Sequence, residues 1–217
     1  MATVIDLIEE VQDVIQDDAY DEDTILSLLN RAMGLISSKV LLPGLEAMSS
    51  LATAPAVNVV SLTADYHREL FKAYNATTEC GILLFSSTAS LYRRCPRAVK
   101  AEVGDVKFVA LTGKSLMIHA VPASAQDLTL WYYRKPVVLV EDNDEPDGLP
   151  PQFHDMLSNY AAWKLFDKIE DGIEGKKVNT DHYMTLFLDA LENGLPSYIE
   201  GLGVSRREPP VVRGEFL

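Results

Sequence analysis

The sequence predicts an α+β fold: a four-helix body from the N- and C-terminal helix pairs, with a β-rich middle domain or insertion. Three observations carry this expectation. Apolar residues recur at helical spacing near both ends of the chain. The middle carries short apolar or alternating runs bounded by turn residues. No long helical pattern separates those runs, which favours antiparallel pairing. The expected organisation is a helix pair over 1–56, a β-rich unit over 57–140, a second helix pair over 141–200 completing the helical body, and an extended tail over 201–217.

The elements follow in order. Val4, Leu7, Ile8, Val11, Val14 and Ile15 form one face of a helix over 4–16, with Glu9, Glu10 and Asp13 opposite and Thr3 as N-cap. Asp17-Asp18 puts negative charge at the negative end of the helix dipole and favours a stop. A second helix starts after Asp21 or Asp23, with Ile25, Leu28, Leu29, Ala32, Leu35 and Ile36 as its stripe, and ends at Pro43-Gly44. Together they make an αα-hairpin. Residues 45–57 are small and weakly polar and are expected to be a loop. Strands are expected at Val59–Leu62, Gly81–Phe85, Val106–Leu111, Ser115–Val121 and Leu128–Tyr133, with a hairpin at Thr112-Gly113-Lys114. Residues 66–74 fit a short helix or a polar crossover. The run 141–148 is a turn-rich boundary. Helix resumes at Pro150-Pro151 on a face of Phe153, Leu157, Tyr160, Ala161 and Leu165. Thr180 is expected to cap a last helix carrying Tyr183, Leu186, Phe187, Ala190 and Leu191, stopped by Gly194 and Pro196.

Charge narrows the function classes. The chain has 217 residues, 47% hydrophobic and 24% charged, which is ordinary globular composition, but its net charge is −13. That balance argues against wrapping duplex DNA through phosphate neutralisation. The charge is blocky. Residues 1–30 hold nine acids and no Lys or Arg, residues 60–140 sum to +4, and residues 141–150 hold five acids and no base. Solvated faces would account for this, and so would unlike surfaces presented to different neighbours. The acidic start is the opposite of a signal peptide. The longest charge-free run, Ala47–Ala64, is too rich in Ser, Thr, Pro and Asn to insert in a membrane. The expected setting is a cytosol with reduced thiols, where the Asn75-Ala76-Thr77 glycosylation pattern is chance.

No enzymatic constellation emerges, and no cofactor, catalytic residue or metal site is expected. Asp142, Asp144 and Pro146 occupy the first, third and fifth positions of a would-be calcium loop, but Pro146 offers no side-chain oxygen and position twelve is Phe153. His67, His119, His154 and His182 form no metal-ligand pattern. Cys80 and Cys95 fit buried small hydrophobes better than a redox pair. Ser86, Ser87 and Ser90 lack a nucleophile-elbow motif. Asp65 and Glu69 would share a helical face, a commonplace arrangement. Arg93, Arg94, Arg97 and Lys100, beside Tyr92, form the densest basic cluster. It fits an interface with an acidic protein, or single strands stacking on Tyr92.

The order of segments resembles the head-to-tail adaptor proteins of tailed bacteriophages, including those of T7-like phages. The residues that carry the resemblance are Ile25-Leu26-Ser27-Leu28-Leu29-Asn30-Arg31-Ala32 after an acidic turn, then Leu130-Trp131-Tyr132-Tyr133-Arg134-Lys135-Pro136. Leu149-Pro150-Pro151-Gln152-Phe153-His154-Asp155-Met156-Leu157 follows, leading to Tyr160-Ala161-Ala162. Thr63-Ala64-Asp65-Tyr66 departs from the family's Leu-Pro-aromatic pattern.

The resemblance implies a non-enzymatic structural part of the virion neck, made and assembled in the host cytoplasm. It implies a homo-oligomeric ring of twelve copies under the portal protein, joined to a downstream tail protein (nozzle or tail tube). DNA would pass through the channel as a non-specific occupant during genome ejection, with no membrane involved. The acids at 17, 18 and 21–23, or those at 141–147, are candidates to face that channel. The C-terminal segment would reach toward the portal. Arg206, Arg207, Val211, Val212, Arg213, Phe216 and Leu217 are the candidate contacts there, beside Arg93, Arg94, Arg97 and Lys100 elsewhere. The alternative is a monomeric single-stranded nucleic-acid or protein binding module. A hydrolase would require a pocket joining Ser86 to His119 or His154.

Overall fold

The computed structural model describes residues 2–17, 19–96, 98, 102–171 and 177–203. They divide into two compact units. Of the described residues, those up to Leu45 and those from Lys135 to Gly203 form one, and those within Glu46–Arg134 form the other.

In the helical unit, α1 (Val4–Ile15) buries Val4, Leu7, Ile8, Val11 and Ile15. Its first turn is a capping box. The Thr3 hydroxyl accepts from the Asp6 N–H, and the Asp6 carboxylate accepts from the Thr3 N–H at 2.8 Å. The Thr3 N–H bond, with a second one donated by the Thr3 hydroxyl at 2.7 Å, holds the Asp6 carboxyl below its ordinary pKa. Asp21 caps α2 (Glu22–Lys39) by accepting from the Thr24 N–H at 2.9 Å. Helix α4 (Asp155–Ile169) packs on α1, α2 and α5 (Val178–Asp189). Ser158, buried on α4, donates to the Glu10 carboxylate of α1 at 2.6 Å.

Two helix-end expectations change. Thr180 lies in the first turn of α5 instead of capping it. The cap comes from Glu170, whose carboxylate accepts from the Asn179 N–H, the Thr180 N–H and the Thr180 hydroxyl at 3.2, 3.1 and 2.7 Å. Gly194 and Pro196 do not stop the helix. The chain widens into a π turn over Ala190–Gly194, with the Leu195 N–H reaching Ala190 O, and continues as α6 (Leu195–Gly201). A five-residue reach shifts the hydrogen-bond ladder where proline has no N–H to offer.

The second unit contains a seven-stranded sheet. Its strands are β1 (Glu46–Ala52), β2 (Val59–Ser61), β3 (Tyr66–Asn75), β4 (Cys80–Phe85), β5 (Phe108–Thr112), β6 (Ser115–Ile118) and β7 (Asp127–Arg134), in the order β1-β7-β3-β4-β5-β6-β2. The outer strands β1 and β2 are joined only by residues 53–58, a link that spans at most ~20 Å when extended. The sheet must therefore curl. Its core holds Tyr66, Ala73, Val106, Val109, Leu116, Ile118, Leu128, Leu130 and Tyr132. Deep in this unit Gln126 Oε1 accepts from Asn75 Nδ2 at 2.8 Å and from the Val106 N–H at 3.0 Å. Its Nε2 donates to Asp105 at 2.8 Å. Asn75 is fully buried, so the glycosylation pattern has no accessible acceptor.

The four-helix body with a β insertion is therefore corrected. The molecule is α+β, but it is β-rich, with a seven-stranded curled sheet that owns its core and a helical unit that extends through the π turn into α6. Residues 46–52, expected as loop, form β1 against β7, and residues 66–74 lie in β3. The sheet is mixed instead of antiparallel: β4 and β5 run parallel, with α3 (Thr88–Arg94) in the crossover between them. Asp65 and Glu69 share no helical face, since Glu69 is a left-handed residue (φ 48°) within β3.

Candidate functional site

The basic cluster starts on α3. Ser87 caps that helix, accepting from the Ser90 N–H at 3.2 Å and bonding the Ser90 hydroxyl at 2.6 Å. Ser87 and Ser90 thus serve a helix start. Arg93 and Arg94 occupy the last turn, where positive charge complements the helix dipole, and both are solvent-exposed. Arg97 and Lys100 lie outside the described residues, as do Arg206, Arg207, Val211, Val212, Arg213, Phe216 and Leu217.

Beside Arg94 an open groove of about 500 Å³ is lined by Cys95, Pro96, Val103, Lys107 and His119, with Glu102 and Asp105 also on its wall. Burial pushes the Cys95 thiol up, opposed by the Arg94 charge. Burial also lowers His119, which sits edge-on to Phe108 with ring centroids 4.8 Å apart. Ser86 does not line the groove, so the nucleophile–histidine pocket required of a hydrolase does not form there. Cys80 is exposed where it opens β4, correcting the expectation of a buried thiol, and Cys95 is half-buried.

The other histidines are dispersed. His154 is buried with Nε2 on Leu149 O at 3.1 Å, and His182 packs against Tyr183. Among the described residues, no group of three His, Cys, Asp or Glu could hold a metal ion. Asp65 accepts from the Tyr132 hydroxyl at 2.8 and 2.9 Å. Burial raises its pKa, but hydrogen bonds from Thr63 and Tyr132 outweigh that and hold it below the ordinary value.

The acidic run forms a hydrogen-bonded strap in the helical unit. Carbonyls of Asp144 and Asp142 accept from the Val4 and Ile5 N–H groups at 2.9 and 3.1 Å, satisfying amides that the first turn of α1 leaves free. The Asp144 carboxylate accepts from the N–H groups of Glu141 and Val140, which lowers its pKa, and Asp147 accepts from Val137. Asn30 of α2 holds the middle of the strap through both backbone groups of Leu139. Sequence reasoning missed this clasp, although Asn30 and the Val137-Val138-Leu139-Val140 run were the signals.

The arrangement offers hydrogen-bonded scaffolding and charged exposed surfaces. A family model described as SU10 adaptor protein matches residues 2–213. The chain belongs to this family, a family of phage head-to-tail adaptors. Such a family is structural, is associated with portal and tail proteins, and points to the virion neck. A search of curated proteins returns no match. Among the described residues no helix is long and apolar enough to cross a membrane.

Proposed function

We propose that the chain is a head-to-tail adaptor that assembles as a ring of twelve copies between the portal protein and a downstream tail protein, leaving a channel for the genome. The single observation that carries this is the family match across 2–213. The strongly acidic surface supports the channel role, because like charge disfavours sticking of the passing DNA. The acids at 17, 18 and 21–23, or those at 141–147, are the candidates to face it, and residue 18 lies outside the described residues. Arg93, Arg94, Arg97 and Lys100 serve protein contacts, since so few bases cannot draw nucleic acid to a −13 chain at long range. The C-terminal segment docks on the portal. Assembly takes place in the host cytoplasm.

The experiment is native mass measurement and particle imaging of the full chain, alone and mixed with the portal protein of the same phage. The expected result is a concentration-dependent oligomer that closes as a ring on the portal. A chain that stays monomeric and ignores the portal overturns the proposal. Salt-sensitive oligonucleotide binding by that monomer would favour the nucleic-acid module instead.

A further inference from the structure

Two surfaces described above match each other, and they lie in different units of the chain. The first is the outer side of the strap. Val137, Val138 and Val140 are 62%, 63% and 63% exposed, while Leu139 between them is buried. This apolar segment is already held, by Asp147, Asn30 and Asp144 on its N–H groups. Docking it therefore orders little new chain. Glu141, Asp142 and Glu145 follow it, all exposed.

The second surface is the groove on the β unit. Val103 on its wall is 72% exposed, with Pro96 and Ala120 beside it and Arg94 and Lys107 supplying positive charge. Of its two acids, Asp105 is tied to Gln126. Among the described residues neither Arg93 nor Arg94 has an ion-pair partner.

A closed ring is built from heterologous contacts, in which one surface of each copy meets a different surface of the next. We propose that the Val137–Val140 strap of one copy seats in the Val103 groove of a neighbouring copy, with Glu141 and Asp142 facing Arg93 and Arg94. Valines cover valine and proline, and the acidic end of the strap meets the basic end of α3. This rests on the ring assigned above and gives it a specific pair of faces.

The test is sedimentation velocity of the full chain over rising concentration, with a pair of charge swaps. One variant carries Arg93→Glu and Arg94→Glu, and the other Glu141→Lys and Asp142→Lys. Each alone sets like charge against like and should weaken self-association ~10-fold or more. Mixed in equal amounts they should associate again, because each interface in an alternating assembly then joins opposite charges. That rescue also shows that both variants fold. Undiminished association of both variants overturns the proposal and leaves the ring standing, and so does loss in each without rescue in the mixture. A wild-type chain that stays monomeric at every concentration overturns the ring itself, and this inference with it.

Discussion

Asn30 uses one side-chain amide to pair with both backbone groups of Leu139, 109 residues later. Its Oδ1 accepts from the Leu139 N–H at 2.8 Å and its Nδ2 donates to the Leu139 carbonyl at 3.0 Å. The amide thus does for the strap what a neighbouring strand does in a sheet. Leu139 is buried, so both of its backbone groups would lose their partner without water to replace it. Asn30→Ala should destabilise the chain by ~1–3 kcal/mol, seen as a lower urea midpoint. Asn30→Asp should be at least as harmful, because it turns an oxygen toward the Leu139 carbonyl. Midpoints unchanged in both variants would refute the clasp.

Three glycines predict opposite signs. A Cβ on Gly44 would meet Gly148 Cα at 2.7 Å, and Gly148 sits at φ +73° with its own Cβ position 2.7 Å from a Leu45 methyl. Alanine at either site should cost ~1–3 kcal/mol. Gly34 lies inside α2 with nothing within 4 Å of its Cβ position, so Gly34→Ala should stabilise by ~0.5–1 kcal/mol. Thermal unfolding of the three variants decides it, and a stabilised Gly148→Ala would contradict the packing described.

The buried amide network of the β unit gives a third prediction. Gln126→Leu strands the Val106 N–H and removes the acceptor of Asn75 Nδ2 and the donor to Asp105. The expected loss is ~1–3 kcal/mol, because the Val106 N–H left behind stays buried, while Asn75 Nδ2 keeps the Val106 carbonyl and Asp105 is exposed. Asn75→Leu and the double variant complete a cycle, and the two losses should fall well short of adding. Additive losses would show that the two amides do not act together.

The helix stripes and the alternation of β7 as far as Tyr132 were legible, because α1 and that part of β7 each obey a single period, which Tyr133, buried beside Tyr132, breaks. Strand β3 was not, and the reason is Glu69. Tyr66 is buried before it and Ala73 and Asn75 after it, so the inward positions switch from even to odd. An irregularity that re-aims a strand removes the period-two signal. Strand β1 was hidden differently. Ala-Met-Ser-Ser-Leu-Ala contains no β-branched residue, and it is a strand because β7 offers it a partner along its whole length. The basic cluster at 93–94 was visible as charge. The strap was not visible as structure, since its hydrogen bonds run from side chains to backbone and leave no periodic trace.

Acid should act through Glu170. The Thr180 hydroxyl bond, with N–H bonds from Thr180 and Asn179, holds its carboxyl below the ordinary 4.5. A lowered folded pKa means that the ionised form contributes stability above the unfolded value. That contribution is lost as pH falls through the folded value. Glu170→Gln should therefore lower the thermal transition at neutral pH, and the gap to wild type should close as pH drops below about 4.5. A gap that is the same at pH 7 and pH 3 would show that the α5 cap does not depend on the charge.

The last prediction concerns the C-terminal segment, which lies outside the described residues. Gly203, at φ +72°, follows α6 in a conformation that ends a helix and lets the chain leave it. Beyond it, Pro209-Pro210 limits the conformations open to the segment, so less entropy is lost when it docks. Val211, Val212, Phe216 and Leu217 can each contribute about 1.5–3 kcal/mol when buried against a partner, before ordering costs. Arg206, Arg207 and Arg213 can fix the register against carboxylates. Deleting residues 204–217 should leave the thermal transition of the chain nearly unchanged while abolishing co-sedimentation with the portal protein. Restoring the segment with Phe216→Ala and Leu217→Ala should recover only part of that binding. A truncated chain that binds the portal as wild type does, or one whose thermal transition falls by many degrees, would remove the segment from the docking role.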